Sequence, residues 1–258
     1  MNGTAANLLG RAVPPAFSTA TPQLVSVHEG YARWAPTYDS FSNPLLAREE
    51  RHVLPLLPRL QGKRVLDIAC GTGRWLTHFA AAEAKSAVGV DLSMAMLRVA
   101  SGKKRLVGSL VESNCLCLPF ASSIFDFAMC SFSIGHIDNL RNLALEVARV
   151  LRPSGDFFVT DLHPEAFARG WRIGFRDETH RPIQVRSRSH SVENILRCFY
   201  AAGMKCATHV GLCLGKPEAP IFEAAGRKHL HEPATRVPAV LFCHFKQAPS
   251  PTGFRSKL

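Results

Sequence analysis

From residue 63 onward, short β-branched or apolar runs alternate with amphipathic stretches, the pattern of a parallel sheet wrapped by helices. The runs predict strands at 64–69, 86–91, 105–110, 124–131 and 155–161. Helices are predicted between them near 73–82, 93–101 and 138–151. The last helix stops before Arg152-Pro153-Ser154-Gly155, a proline–glycine break that ends a helix and starts a strand. Upstream, residues 23–60 read as two helical pieces broken around Ala35-Pro36 and Asn43-Pro44, and the stretch Gly30 to Asp39 is unusually aromatic for a linker. Residues 163–190 hold two Pro, two Gly, one Trp and many Arg, and read as no clear core element. A helix near 191–202 and strands near 205–214 and 237–245 then complete a seven-stranded, mostly parallel, doubly wound α/β sheet.

This reading gives one domain over 23–248: a helical lid (23–60), a core (63–162), an insertion after strand five (163–190) and a C-terminal helix with strands (191–248). Residues 1–22 read as a flexible arm and 249–258 as a flexible tail. At 258 residues and 47% hydrophobic, the chain buries one substantial core. It has no apolar run of membrane-spanning length and no charged-then-apolar leader pattern, so a cytoplasmic address is expected. The eight cysteines include no C-x-x-C pair, and most sit in apolar runs such as Phe127-Ala128-Met129-Cys130. They are expected to be buried free thiols. Cys115 and Cys117 lack a second ligand pair, so no metal site is expected. The net charge of +11 permits nucleic acid, anionic lipid or acidic small molecules as partners without choosing among them.

The strand Arg64 to Ala69 runs into Cys70-Gly71-Thr72-Gly73 and then a helix. Gly71 and Gly73 allow a tight turn and close backbone approach, so a ligand can meet the strand ends and the helix N-terminus. A dinucleotide fingerprint needs Gly or Ala three residues after the second Gly, where this chain has Leu76. Asp67 ahead of the glycines repels a pyrophosphate but pairs with an ammonium or supports a sulfonium ligand. Asp91 ends the second strand, where its two oxygens can accept both hydroxyls of a ribose. The alternative is that Asp91 only caps the following helix.

The runs VLDIACGTG, VGVDLS, LPFASSIFDFAMCSFSIGHI and VLRPSGDFFVTD, in this order and spacing, resemble class I S-adenosylmethionine-dependent methyltransferases. The resemblance spans about residues 25–215 and implies a Rossmann-like sheet with S-adenosyl-L-methionine as cofactor. It places Asp67 near the methionine end, the backbone of Gly71 and Gly73 against the cofactor, and Asp91 on the ribose hydroxyls. It also places Leu92 and Met96 beside the adenine, and counts Ala69 and Ser131 among the cofactor contacts. Where the family often has an Asp for the adenine amino group this chain has Asn114, whose amide oxygen can accept the same bond, with the Cys115 N–H facing a ring nitrogen. The segment around Tyr31, Trp34 and Tyr38 resembles the aromatic lid of the quinone- and biotin-biosynthesis methyltransferases, which covers the cofactor. Packing of helix onto sheet is the other role open to these rings.

Methyl transfer from a sulfonium is an in-line displacement, so the protein must align the reactants, exclude water and take up a proton where the nucleophile carries one. His136 and His163 fall where strands four and five should open onto the pocket, and are the candidate bases. His136 alternatively shapes its loop. The insertion carries six Arg against three acids, with Trp171 and Phe175 among them. Trp171, Arg172 and Arg176 are thus candidate contacts to an anionic or planar acceptor, unless the segment is a solvated basic loop. The stretch Phe222 to His231 reads either as a helix-and-loop cover or as a hairpin before the last strand. The leading expectation is a methyltransferase acting on a small molecule at oxygen or carbon. The alternatives are RNA or protein methylation and a non-catalytic cofactor-binding protein. No RNP-like or KH-like pattern and no Asn-Pro-Pro-Tyr or Asp-Pro-Pro-Tyr motif supports nucleic acid. Nothing in the sequence fixes an oligomeric state.

Overall fold

The computed structural model describes residues 21–106 and 109–249, so nearly all of the expected arm and tail lie outside the described residues. In chain order the elements are β1 (Gln23–Val25), α1 (Val27–Trp34), a 3-10 turn (Ala35–Ser40), α2 (Pro44–Val53), β2 (Arg64–Ile68), α3 (Arg74–Ala81), β3 (Ser86–Asp91) and α4 (Met94–Ser101). Next come β4 (Leu110–Glu112), β5 (Phe125–Ser131), α5 (Leu140–Val150), β6 (Leu151–Leu162), α6 (Pro164–Ala168), β7 (Gly174–Arg176) and β8 (Pro182–Val185). The chain closes with α7 (Val192–Ala201), β9 (Met204–Cys213), α8 (Ala219–Ala224), α9 (Lys228–Thr235) and β10 (Pro238–Gln247). Helix starts follow local chemistry. Ser26, Asn43, Ser93, Asn139 and Ser191 each accept a backbone N–H at the first turn of α1, α2, α4, α5 and α7.

The main sheet has the order β4-β3-β2-β5-β6-β10-β9, with β10 antiparallel to both its neighbours and the remaining pairs parallel. This is the seven-stranded, doubly wound sheet that the periodicity predicts. The period of two assigns side chains to its faces. Val65, Phe127, Met129 and Phe158 pack on one face with Trp75, Phe79 and Leu97 of α3 and α4. Leu66, Ile68, Ala128, Cys130, Phe157 and Val159 pack on the other with α5 and α7. Asp67, Ser131 and Thr160 follow the first register, and so end under the lid helices.

Three boundaries differ from expectation. The strand predicted at 105–110 begins only at Leu110, because Leu106 sits in a 3-10 turn with its side chain buried against Gly73. The proline–glycine break ends α5 but does not delay β6, which starts at Leu151 and absorbs the extra residues as a register shift against β5. The stretch Phe222 to His231 is helical, shared between α8 and α9. Cysteine burial is also narrower than expected. All eight are free, but only Cys70, Cys130 and Cys243 are buried, whereas Cys117, Cys206 and Cys213 are exposed. Among the described residues no helix is long and apolar enough to cross a membrane.

The insertion is a core element, contrary to its reading as an unstructured basic stretch. β7 and β8 form a hairpin, and β8 pairs in parallel with β1, giving a second sheet of order β1-β8-β7. Trp171, Ile173 and Phe175 alternate with Arg172 and Gly174, Ile183 and Val185 flank Gln184, and all five apolar residues are buried. The interleaved arginines mask this short period-two signal, and β1 has only three residues with which to announce itself. If the insertion is a core element, Trp171→Ala lowers unfolding free energy by about 3–5 kcal/mol in urea titrations. A loss below about 1 kcal/mol is the result for a solvated loop.

Candidate active site

β2, β3 and β4 step outward in one direction and β5 and β6 in the other, so a crevice opens at the carboxyl ends of β2 and β5. There Ala69, Gly71 and Gly73 all take positive φ (55°, 55° and 78°), coiling the chain tightly between β2 and α3. A side chain on Gly73 would strike Leu106 Cδ1 at 2.5 Å, so that glycine answers to packing. A Cβ on Gly71 would meet nothing within 4 Å, so its missing side chain leaves room for a ligand. The loop is held by Asp91 at the end of β3, whose Oδ2 accepts from Gly71 N (2.8 Å) and Oδ1 from Ser93 N (2.7 Å). The N-cap of α4 is Ser93, so the capping role left open for Asp91 falls to its neighbour. Each Asp91 oxygen retains a lone pair. Asp67 is buried, and its Oδ2 has no hydrogen-bond partner. Burial pushes its carboxyl well above the usual range against the pull of Arg74, with Asp91 and Glu49 adding to the rise.

A cavity of about 530 Å³ fills the crevice, within the size range of cofactor and small-molecule sites. Of the sequence-predicted residues, Tyr31, Tyr38, Asp67, Ala69, Gly71, Asp91, Leu92, Met96, Asn114, Cys115, Ser131 and His136 line it. The Asn114 Oδ1 accepts from Leu116 N at 2.9 Å, which leaves one lone pair free. Six others lie off the wall. Gly73 is behind the loop, and Trp34 stacks on Phe175 at 5.0 Å. Trp171 is core. Arg172 donates to the carbonyls of Phe167 and Trp171 with its guanidinium over the Phe167 ring, and the buried Arg176 donates to the His180 carbonyl. His163 Nδ1 accepts from Glu165 N as the cap of α6. The apolar alternation of the insertion draws its hairpin onto β1, and Arg172 and Arg176 are engaged by backbone carbonyls.

His136 ends a 3-10 turn, Ile134–His136, that Asp161 holds by accepting from Gly135 N at 2.7 Å. Its Nδ1 lies 2.9 Å from the Arg186 carbonyl and its Nε2 2.9 Å from the Tyr31 hydroxyl. A carbonyl only accepts, so Nδ1 carries the proton and Nε2 accepts from Tyr31. Burial holds the imidazole pKa below its ordinary 6.5 and keeps the ring neutral.

Sequence reasoning missed the group that ties α2 to the strand ends beside the cavity. Glu49 on α2 is fully buried. Its Oε1 accepts from Ser131 Oγ (2.7 Å) and from Thr160 Oγ1, and its Oε2 pairs with Arg74 of α3. Arg74, which lines the cavity, also reaches Glu50 and Ser131. Asp39 adds a second tie, accepting from Thr72 Oγ1 at 2.7 Å and pairing with Lys103. The sequence signal for Glu49 was an acid at helical spacing between Leu45 and Val53, both buried on the same face of α2.

Comparison with known proteins adds to this geometry. Residues 66–159 match the model of a methyltransferase domain family. The chain is 30% identical over 156 residues to an O-methyltransferase of Aspergillus nomiae, covering 55% of this chain and 68% of that protein. The chain belongs to the class I S-adenosylmethionine-dependent methyltransferases. It is also 28% identical over 154 residues to the 2-phytyl-1,4-naphtoquinone methyltransferase of Synechocystis sp., covering 55% of this chain and 64% of that one. The matches span 58 to 68% of the length of the first curated relatives. A crystal structure of an S-adenosylmethionine-dependent methyltransferase from Mesorhizobium loti shares the fold, with TM-score 0.60 and 19% identity over 78% of this chain and 98% of the other. The residues present fit the family's cofactor: Asp67 offers an unpaired buried carboxylate oxygen, Gly71 an open approach, and Asp91 two free lone pairs.

Glu49→Ala strands Arg74 and two hydroxyls in the interior, and unfolding free energy is expected to fall by about 3–5 kcal/mol. Adding Arg74→Met in the same chain should recover much of that loss in denaturant titrations. Simple additivity of the two losses would show that the pair is not coupled.

Proposed function

We propose that this methyltransferase moves a methyl group from S-adenosyl-L-methionine to a small-molecule acceptor, at oxygen or carbon, with His136 taking up the acceptor's proton. The observation that carries this reading is a neutral imidazole whose accepting nitrogen faces the Tyr31 hydroxyl in a lid-covered cavity. When bound, the cofactor supplies an electrophilic methyl group on a sulfonium. The Asp91 carboxylate accepts the ribose hydroxyls, Leu92 and Met96 flank the adenine, and Asn114 with the Cys115 N–H reads its edge. Asp67 serves the methionine end, and Tyr31 and Tyr38 close over the site. The Glu49 clamp holds α2 down on the core, which excludes water and favours a small acceptor over a folded macromolecule. The O-methyltransferase and quinone methyltransferase relatives support the same acceptor class. The positions of Trp171, Arg172, Arg176 and His163 remove the support for an acceptor bound by the insertion.

Asp91→Ala deletes two charge-assisted hydrogen bonds to the ribose and should weaken cofactor affinity about a hundredfold or more by calorimetry. Unchanged affinity would sink the assignment. The base must be unprotonated to act, and its pKa is lowered, so kcat/KM should stay flat above neutrality and fall only below pH 6.5. An acid limb above that value, or one that survives in His136→Ala, contradicts the role of His136.

A further inference from the structure

We propose that the acceptor is an uncharged hydroxy compound of phenol or enol type, and that its hydroxyl displaces Tyr31 from Nε2 of His136. The proposal rests on His136 being the proton acceptor. Among the described residues lining the cavity, Arg74 is the single Lys or Arg, against the carboxylates of Asp67, Asp91 and Asp138. Arg74 is committed to Glu49, Glu50 and Ser131, and Asp138 is paired with Arg188 at 2.5 Å. An acceptor bearing a carboxylate would find no uncommitted Lys or Arg on the cavity wall, leaving only the cofactor's own cationic groups to offset it. The arginines of the insertion that could have supplied one, Arg172 and Arg176, bind backbone carbonyls away from the wall.

Tyr31 shows what the accepting nitrogen takes. Its phenol is seated on Nε2 at 2.9 Å, with the two rings edge to face at 85° and 5.3 Å between centroids. The lid therefore carries an internal surrogate of a ring hydroxyl on the proton-accepting atom. While Tyr31 holds that position, an acceptor hydroxyl has no access to the base. Proton relay through a Tyr31 phenolate is opposed by burial and by the nearby Tyr38, Asp161 and Asp91, all of which hold the proton on its oxygen. Displacement requires a swing of the Tyr31 side chain and not of its helix, since α1 is packed on the second sheet through the buried Gly30 against Val185 and Trp34 against Phe175. In the reaction the acceptor O–H bond breaks and its proton passes to Nε2, giving an imidazolium that keeps its Nδ1–H on the Arg186 carbonyl. An oxygen lone pair forms the new bond to the methyl carbon, and the methyl–sulfur pair stays on sulfur.

The test is calorimetric titration of 1-naphthol and 1-naphthoate into the protein saturated with S-adenosylhomocysteine, for wild type, Tyr31→Phe and His136→Ala. Phenylalanine keeps the ring contacts of Tyr31 and removes only the competing hydroxyl. The expected results are naphthol binding at least tenfold tighter than naphthoate, a further gain of about five- to tenfold in Tyr31→Phe, and loss of naphthol affinity in His136→Ala with S-adenosylhomocysteine affinity retained. Naphthoate binding as tightly as naphthol, or no naphthol binding, overturns the acceptor class. Weaker naphthol binding in Tyr31→Phe, or a fall in its kcat at constant KM, overturns displacement in favour of a Tyr31 contact or relay. Wild-type kcat in His136→Ala overturns the underlying base assignment, an outcome separate from these.

Discussion

One buried carboxylate joins the parts of this molecule that must work together. Glu49 descends from the lid helix α2 and takes donors from the ends of three other elements: Ser131 on β5, Thr160 on β6 and Arg74 at the start of α3. An acid this deep is tolerable only when it is paired and hydrogen-bonded, and removing any donor exposes it to the desolvation cost. The helix α2, the start of α3 and the strand ends are therefore set relative to one another by this group, and Asp39 adds a second tie to the glycine loop. The cavity inherits its shape from that constraint.

The same economy governs the two ends of the cavity. At one end Asp91 fastens the glycine loop from the cavity wall, so under the proposed assignment the carboxylate that holds the loop would also receive the ribose. At the other end Asp161 fastens the turn that carries His136, and burial raises its own pKa to about 6. The turn, the Arg186 carbonyl and Tyr31 together fix the imidazole in one tautomer, with Nδ1 protonated and Nε2 accepting from Tyr31. The orientation comes from local hydrogen bonds rather than from a catalytic triad.

Much of this was legible in the sequence, and the residues explain why. Strands such as Arg64–Ile68 and Ser86–Asp91 announce themselves by apolar runs, and the carboxylates near their ends stand out because acids are rare in such runs. The glycine loop could be read because positive φ at Gly71 and Gly73 demands a residue type that is visible in one dimension. The acceptor side was not legible for the opposite reason. Arg172 and Arg176 have the composition of an anion-binding lid, yet their donors go to carbonyls whose positions depend on the pairing of β8 with β1, a contact across some 160 residues. Tyr31 and His136 lie 105 positions apart, and only the packing of α1 in the folded chain brings them to hydrogen-bond distance. Glu49 was readable in principle, as an acid on the apolar stripe of α2, but its partners were not.

The central claim, a methyl acceptor that is small and loses its proton to His136, is tested most directly by following the methyl group itself. The protein is incubated with S-adenosylmethionine carrying an isotopically labelled methyl, together with a mixture of small neutral hydroxy compounds, total RNA and protein. Each fraction is then examined for label by mass spectrometry. The account predicts label in the small-molecule fraction for wild type, and its loss in His136→Ala without loss of cofactor binding. Label in RNA or protein, or undiminished small-molecule labelling by His136→Ala, would contradict it.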